Sequence, residues 1–328
     1  MHGDRPVGVL YEHPEWFKPL FAELHRRGVA YEPIHAATLL FDPSERDVPY
    51  SLVVNRMSPS AWLRGHGRAV FHVASYLAYL DDIGANVMNG YEAYRHEISK
   101  TAQLALFSRL GVRHPAARVI NDPALAPEAS RGLVFPVLVK PNVGGSGAGI
   151  VSFATEDELA EAAAGGRLPM GPDGTALVQE HLPVRDDRIY RIEILDARYL
   201  YCIALDLEPG TFNLCPADYC QVPGMADGVS GRGLPVRAFD PSSQLVDTAR
   251  RLLHAGGMEL GGVEYLINDR DGLPYFYDIN ALSNFVADAL RVVGFDPFVD
   301  LVDFIIKRAG TSSLSRPRRG RTRSRATR

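Results

Sequence analysis

In the stretch VLVKPNVGGSGAGI, Val137 to Ile150, Lys140 stands just ahead of four glycines in six residues, Gly144, Gly145, Gly147 and Gly149. Glycine has no Cβ and adopts positive φ freely, so such a loop lets backbone amides approach phosphate oxygens, and Lys140 stands where a phosphate needs a cation. Two familiar phosphate loops are excluded. A Walker A loop carries its lysine after the glycines, and a dinucleotide fingerprint runs from a strand into a helix. Here Phe135 to Val139 reads as a strand and Ile150 to Phe153 as another, so the glycines join a hairpin. A second group lies near the other end of the chain. Asp278 and Asn280 are two apart in the strand candidate LPYFYDIN, so their side chains share a face. Cys202, Cys215 and Cys220 form neither an even disulfide framework nor a CxxC pair; they read as free thiols rather than a zinc site.

The elements that must position these groups fall into two textures. VGVLYEH, VAYEPIHA and YSLVVNRM are short apolar runs, with the helical pattern WFKPLFAELHRRG after the first and Gly28 as its C-terminal stop. That order is characteristic of a parallel α/β sheet, whose ligands sit beyond the carboxyl ends of the strands. The loops beginning at His13, His35 and Arg56 then share one rim, and both histidines read as exposed. Residues 68–111 read as mostly helical around the turn-like IGANVMNG; in ISKTAQLALFSRLG, Ile98, Leu104, Leu106, Phe107 and Leu110 form one apolar side. From residue 116 the chain changes to strand candidates, ARVI, FPVLVK, GIVSF, ALVQEHL, IYRIEIL, YLYCIAL, GGVEYLIN and LPYFYDIN. Helices intervene at TEDELAEAAAG, opened by Thr155, and PSSQLVDTARRLLHAGG. This is an α+β texture.

The chain has 328 residues, 46% hydrophobic and 23% charged, with a formal net charge of −4, the balance of a globular protein with room for several domains. No apolar run reaches the roughly 18 to 20 residues of a membrane span, and the N-terminus lacks the apolar core of a signal peptide; the expected location is cytoplasmic. The charge is lopsided. Residues 311–328 hold seven arginines and no acid, leaving 28 basic against 39 acidic side chains in residues 1–310. That segment reads as a disordered tail; it is the one part suited to nucleic acid, since the body has no basic and aromatic interleaving.

VVNRMSPS, NGYEAYRHEISKTAQ, VLVKPNVGGSGAG, ALVQEHLP, IYRIEI, TFNLCP, GGVEYLI and YFYDINALSNF, in that order, resemble the ATP-grasp enzymes, and among them the RimK and glutathione-synthetase branch. The resemblance runs from about residue 50 to residue 295. It implies an α/β N-terminal (pre-ATP-grasp) domain over 1–97 and a two-subdomain α+β ATP-grasp domain over 98–310, hinged near 180–183. It also implies ATP held between the subdomains under the hairpin of Gly144, Gly145, Ser146, Gly147 and Gly149, with Lys100 and Lys140 on the phosphates. The backbone of Glu180, His181 and Leu182 would meet the adenine, Asp187 the ribose and Asn213 the phosphates. By the same resemblance Glu264, Asp278 and Asn280 hold one or two Mg2+, with Mn2+ able to substitute. Arg191 faces the transferring phosphate and Arg56 a substrate anion. Two departures stand out: the family usually has glutamate where Asp278 stands, and basic, glycine-rich residues where Cys215, Pro216 and Ala217 stand.

The activity implied is phosphoryl transfer from ATP to a carboxylate, then attack of an amine on the acyl-phosphate, releasing ADP and phosphate and leaving an amide. The partners implied are a small-molecule or peptide carboxylate and an amine acceptor, and by analogy a homodimer. Two other readings stay open on the sequence: an ATP-grasp kinase that stops at a phosphorylated product, and a nucleotide-binding module without catalysis.

Overall fold

The computed structural model describes residues 5–145, 147–207 and 236–310. Ser146, Asn213, Cys215, Cys220 and the arginine-rich tail lie outside the described residues.

The first sheet is parallel. β1 (Val7–Tyr11) leads through α1 (Lys18–Arg26) to β2 (Tyr31–His35), and β3 (Leu52–Arg56) pairs on its other side. Tyr11 is in register with both His35 and Arg56, so the three strands end level and the expected rim forms. Alternation of side chains divides the strands between two faces. Val7, Val9 and Val54 pack with Leu20 and Leu24 of α1, whereas Leu10 and Val53 pack with Val70, Val73 and Leu77 of α2 (Gly67–Asp82). The turn-like IGANVMNG contains a short edge strand, β4 (Val87–Met88), paired with β3; two residues are too few to leave a periodic signal. α3 (Tyr91–Glu97) and α4 (Lys100–Arg109) follow, broken at Ser99, whose hydroxyl caps α4 by accepting from the Ala102 amide at 3.2 Å. α3 is shared: Tyr94 packs with α2, while Ala93 packs with Leu106 and Phe107 of α4.

The second sheet is antiparallel, ordered β5-β8-β6-β7. It comprises β5 (Ala117–Ile120), β6 (Val137–Pro141), β7 (Val151–Phe153) and β8 (Ala176–Glu180). α5 (Ala126–Ser130) and α6 (Glu156–Ala164) cover one face, burying Val137, Val139 and Val178. Thr155 caps α6 as its position suggests, accepting from the Glu158 amide. Since β6 and β7 pair antiparallel, the glycine run is a hairpin loop.

The third sheet, ordered β11-β10-β9-β12-β13, is also antiparallel. It holds β9 (Val184–Leu195), β10 (Arg198–Asp206), β11 (Val236–Ala238), β12 (Leu260–Asn268) and β13 (Pro274–Asn280), with α7 (Ser243–Ala255) between β11 and β12. Tyr190, Ile192 and Ile194 of β9 point to the side covered by α4 and α7, with the buried free thiol of Cys202. The opposite face carries Ile189, Arg191 and Glu193, and here the sheet faces the rest of the site. The chain closes with α8 (Ala289–Val292) and α9 (Pro297–Gly310), and α9 returns to pack on α1. Among the described residues no helix is long and apolar enough to cross a membrane.

Candidate active site

A cavity of about 230 Å³ lies between the second and third sheets, under the glycine hairpin and against the rim of the first sheet. Lys140 and Leu138 reach it from β6, because the alternate residues Val137 and Val139 are committed to the core beneath. From β9, β12 and β13 come Arg191, Glu264 and Asp278. Their backbones are in register, Arg191 opposite Glu264 and Glu264 opposite Asp278, so three neighbouring strands lay the groups in one row.

A bulge makes that row. Glu264 pairs with Asp278 but Tyr265 with Phe276, leaving Tyr277 as an extra residue in β13. Without it, Phe276 and Asp278 would share a face; with it, Phe276 enters the core beside Tyr265 while Asp278 and Asn280 turn to the cavity. A bulge re-aims side chains in just this way.

Arg191 is nearly fully buried and spends its guanidinium on three partners: Glu193 at 2.6 Å, Glu264 at 3.1 Å and the Ser283 hydroxyl at 3.3 Å. Burial opposes its charge, but Glu193 and Glu264 outweigh burial and hold it protonated well beyond its usual range. Space for it comes from Gly262, where a Cβ would sit 2.5 Å from Arg191 Nε. Burial, and then the proximity of Asp278, pushes the Glu264 carboxyl up. Lys100 Nζ donates to Asp278 Oδ1 at 2.9 Å; burial works against the ammonium, and Asp278 raises it again. Lys140 differs. It makes no ion pair or hydrogen bond among the described residues, and burial followed by repulsion from Lys100 brings it down to about 7.

The two lysines are held together by Asn142. Its carbonyls, backbone and side chain, accept from the amides of Lys100 and Thr101 at 3.2 and 2.9 Å, tying the start of α4 to the end of β6. In the hairpin, Gly149 has φ +75° and a Cβ there would lie 3.0 Å from Pro141, so only glycine fits without strain. The amides of Ala148 and Ile150 are spent on the carbonyls of Gly145 and Gly147. Among the described residues no such bond occupies those of Gly144, Gly145, Gly147 or Gly149.

At the far end the wall is apolar, with Leu182, Ile189, Leu207 and Leu266. Here β8 ends at Glu180 and β9 begins at Val184. The Glu180 carboxylate turns aside to the Val134 amide and towards Arg270. Its own amide donates to Ala116 and that of His181 to Pro136.

Three residues are not where the sequence suggests. Asp187 is exposed near the start of β9 with a left-handed backbone (φ 47°), outside the cavity wall, and Asp186 beside it is the same. Arg56 is 1% exposed and does not line the cavity: it donates to the Ser283 carbonyl, faces the Phe17 ring at 5.6 Å, and among the described residues has no hydrogen-bond partner for Nε or Nη1. Burial lowers it to about 10. His13 is buried rather than exposed, stacked on Trp16 at 4.1 Å and, through burial, down at about 4. Residues missed by sequence reasoning include Asn142, Glu97, Gln103 and Ser283. Gln103 carried a signal: it is a polar residue on the buried side of α4 among Leu104, Leu106 and Phe107.

Glu264, Asp278 and Asn280 offer two carboxylates and an amide to the cavity. Burial first, and then Asp278 beside it, raises the Glu264 carboxyl; a divalent cation there would offset both, and oxygen donors suit Mg2+. These residues fit the metal. Among the described residues there is no group of three or more His, Cys, Asp or Glu side chains arranged for one.

No known family profile matches the chain, and no curated protein does. Solved structures do. One is a RimK domain ATP-grasp protein from Sphaerobacter thermophilus, with TM-score 0.66, 18% identity and coverage of 91% of this chain and 98% of that one. Another is the ATP-grasp ligase PsnB with its minimal precursor, with TM-score 0.64, 17% identity, and 93% and 100% coverage. A third is D-alanine–D-alanine ligase from Bacillus anthracis with ATP, with TM-score 0.62, 13% identity, and 93% and 96% coverage. The chain has the ATP-grasp fold.

Proposed function

We propose that this chain is an ATP- and Mg2+-dependent carboxylate–amine ligase that works through an acyl-phosphate and releases ADP and phosphate. The observation that carries the reading is the row Arg191, Glu264 and Asp278, with Lys100 paired to Asp278, facing a Lys140 that makes no ion pair among the described residues, beneath a glycine hairpin. Similar structures support the same chemistry: PsnB was solved with its precursor, Mg and ADP, and the Bacillus anthracis ligase with ATP.

In this reading the purine enters the apolar end and reads the Glu180 carbonyl and the Leu182 amide, since the amides of Glu180 and His181 are already engaged. Amides of Gly144, Gly145, Gly147 and Gly149 close on the phosphates, with Ser146 and Asn213 as further contacts. Lys140 and Lys100 neutralise phosphate charge. Bound Mg2+, or Mn2+ in its place, supplies Lewis-acid stabilisation of the transferring phosphoryl group, held by Glu264, Asp278 and Asn280. Arg191, fixed by Glu193, keeps a permanent positive charge beside that group. A carboxylate attacks the γ-phosphorus and displaces ADP; an amine then attacks the acyl carbon and displaces phosphate. Asp187 serves the ribose, and Arg56 a substrate anion, only if the surrounding segments shift. The domains fall at 1–97, 98–310 and the tail, and the acceptor and any homodimer contact belong to the N-terminal side.

The test is ADP release from Mg–ATP with pooled amino acids, peptides and other carboxylates, and hydroxylamine as the amine. The expected result is ADP with a hydroxamate whose mass identifies the carboxylate. ADP with a stable phosphorylated compound and no hydroxamate would replace the ligase with a kinase.

A further inference from the structure

Among the described residues β13 is an edge strand of its sheet, and the bulge at Tyr277 lies immediately before the cavity-facing Asp278 and Asn280. A bulged edge is where register is least secure, and a slip of one residue would turn both oxygen donors to the opposite face. The residue between them, Ile279, points its backbone N–H and C=O outward, away from β12. Both are taken by one side chain. Gln103 Nε2 donates to the Ile279 carbonyl at 2.8 Å, and Gln103 Oε1 accepts from the Ile279 amide at 3.0 Å. The second N–H of Gln103 goes to the His96 carbonyl at 2.9 Å at the end of α3. Gln103 is 1% exposed, so each of these bonds is made away from water. The next two amides, of Ala281 and Leu282, are taken by the buried carboxylate of Glu97.

We propose that Gln103 is a positioning residue for the metal ligands: it substitutes for a missing neighbouring strand and locks the register that turns Asp278 and Asn280 into the cavity. It also stands one helical turn from Lys100, the partner of Asp278, so the same contact sets the spacing between the lysine and the carboxylate it releases to a metal. The inference rests on the nucleotide and Mg2+ reading above. Partners that orient metal ligands without touching the ion are worth about 10- to 100-fold in metal affinity.

The experiment is calorimetric titration of ADP into the full chain, with and without Mg2+, for the unsubstituted protein and for Gln103→Met, which keeps length and volume and removes all three hydrogen bonds. Expected is a split: ADP alone binds within about threefold of the original, while the Mg2+-dependent gain in affinity falls by about tenfold or more. Gln103→Glu keeps an acceptor for the Ile279 amide and should recover part of that gain; it carries the test should the methionine variant not fold. An unchanged Mg2+ gain, or equal losses with and without Mg2+ as general loosening would give, overturns the proposal. Absence of any Mg2+-enhanced ADP binding in the unsubstituted protein would instead overturn the nucleotide reading, and this inference with it.

Discussion

Two buried charge clusters lie within this molecule, and they are solved in opposite ways. At the rim of the first sheet Glu12, 2% exposed, receives Arg64 and the His66 imidazole, and Arg64 also reaches the Ser60 hydroxyl and covers Trp16. Burial works against the Glu12 carboxylate, but these partners more than offset it and hold it below its usual range. That cluster is complete in itself. It braces the 3₁₀ turn over Pro59–Arg64, against which the hairpin rests: a Cβ on Gly145 would lie 3.1 Å from Ser60. In the cavity the pairing leaves one cation over. Lys100 has Asp278 and Arg191 has Glu193 and Glu264, but Lys140 makes no ion pair among the described residues, and burial followed by repulsion from Lys100 brings it down to about 7. A cluster with its own partners supports structure, and a buried cation without one marks where an anion is to arrive.

The sharpest way to break that contrast is to substitute in both places. Lys140→Ala should lower turnover by about 10²-fold or more with little change in the unfolding midpoint, and Asp278→Asn should lower it as far while also costing stability by stranding Lys100; unchanged turnover in both would dissolve the distinction. Glu12→Gln should do the reverse, costing about 3 kcal/mol of stability in denaturant unfolding by stranding Arg64, while Mg–ADP affinity stays within a few-fold. Glu97 offers a smaller and pH-dependent test between the two regions. Burial, opposed by the Leu282 amide, raises its carboxyl from 4.5 to about 7. Because the folded value is the higher one, its contribution is fully present below pH 4.5 and is lost as pH rises to about 7. Glu97→Gln should therefore leave stability unchanged near pH 4 and add about 3 kcal/mol at pH 8. Equal effects at both values would contradict the assignment.

What was legible in the sequence follows the same divide. The hairpin with Lys140 and the Asp278–Asn280 pair declare themselves because glycine content and two-residue alternation are local patterns, whereas Lys100 comes forward only through the family resemblance. The glutamine that holds Ile279 lies 176 positions away, and the glutamate that holds Ala281 lies 184 away. Single polar side chains at such separations leave no period to read. Glu12, Arg64 and His66 are similarly 52 and 54 residues apart. The bulge at Tyr277 is also silent, since no glycine or proline marks it. Arg56 and Asp187 show the converse: a matching residue type does not fix exposure, which depends on how the segment around Ser283 and the turn at Asp186 fold.

The most direct test of the uncompensated lysine is calorimetry of Mg–ADP binding at pH 8 in buffers of different ionisation enthalpy. With Lys140 at about 7 before binding, phosphates arriving beside it raise its proton affinity. The expected result is therefore uptake of close to one proton in the unsubstituted protein and none in Lys140→Ala. Binding without proton uptake, or the same uptake in both proteins, would contradict the account.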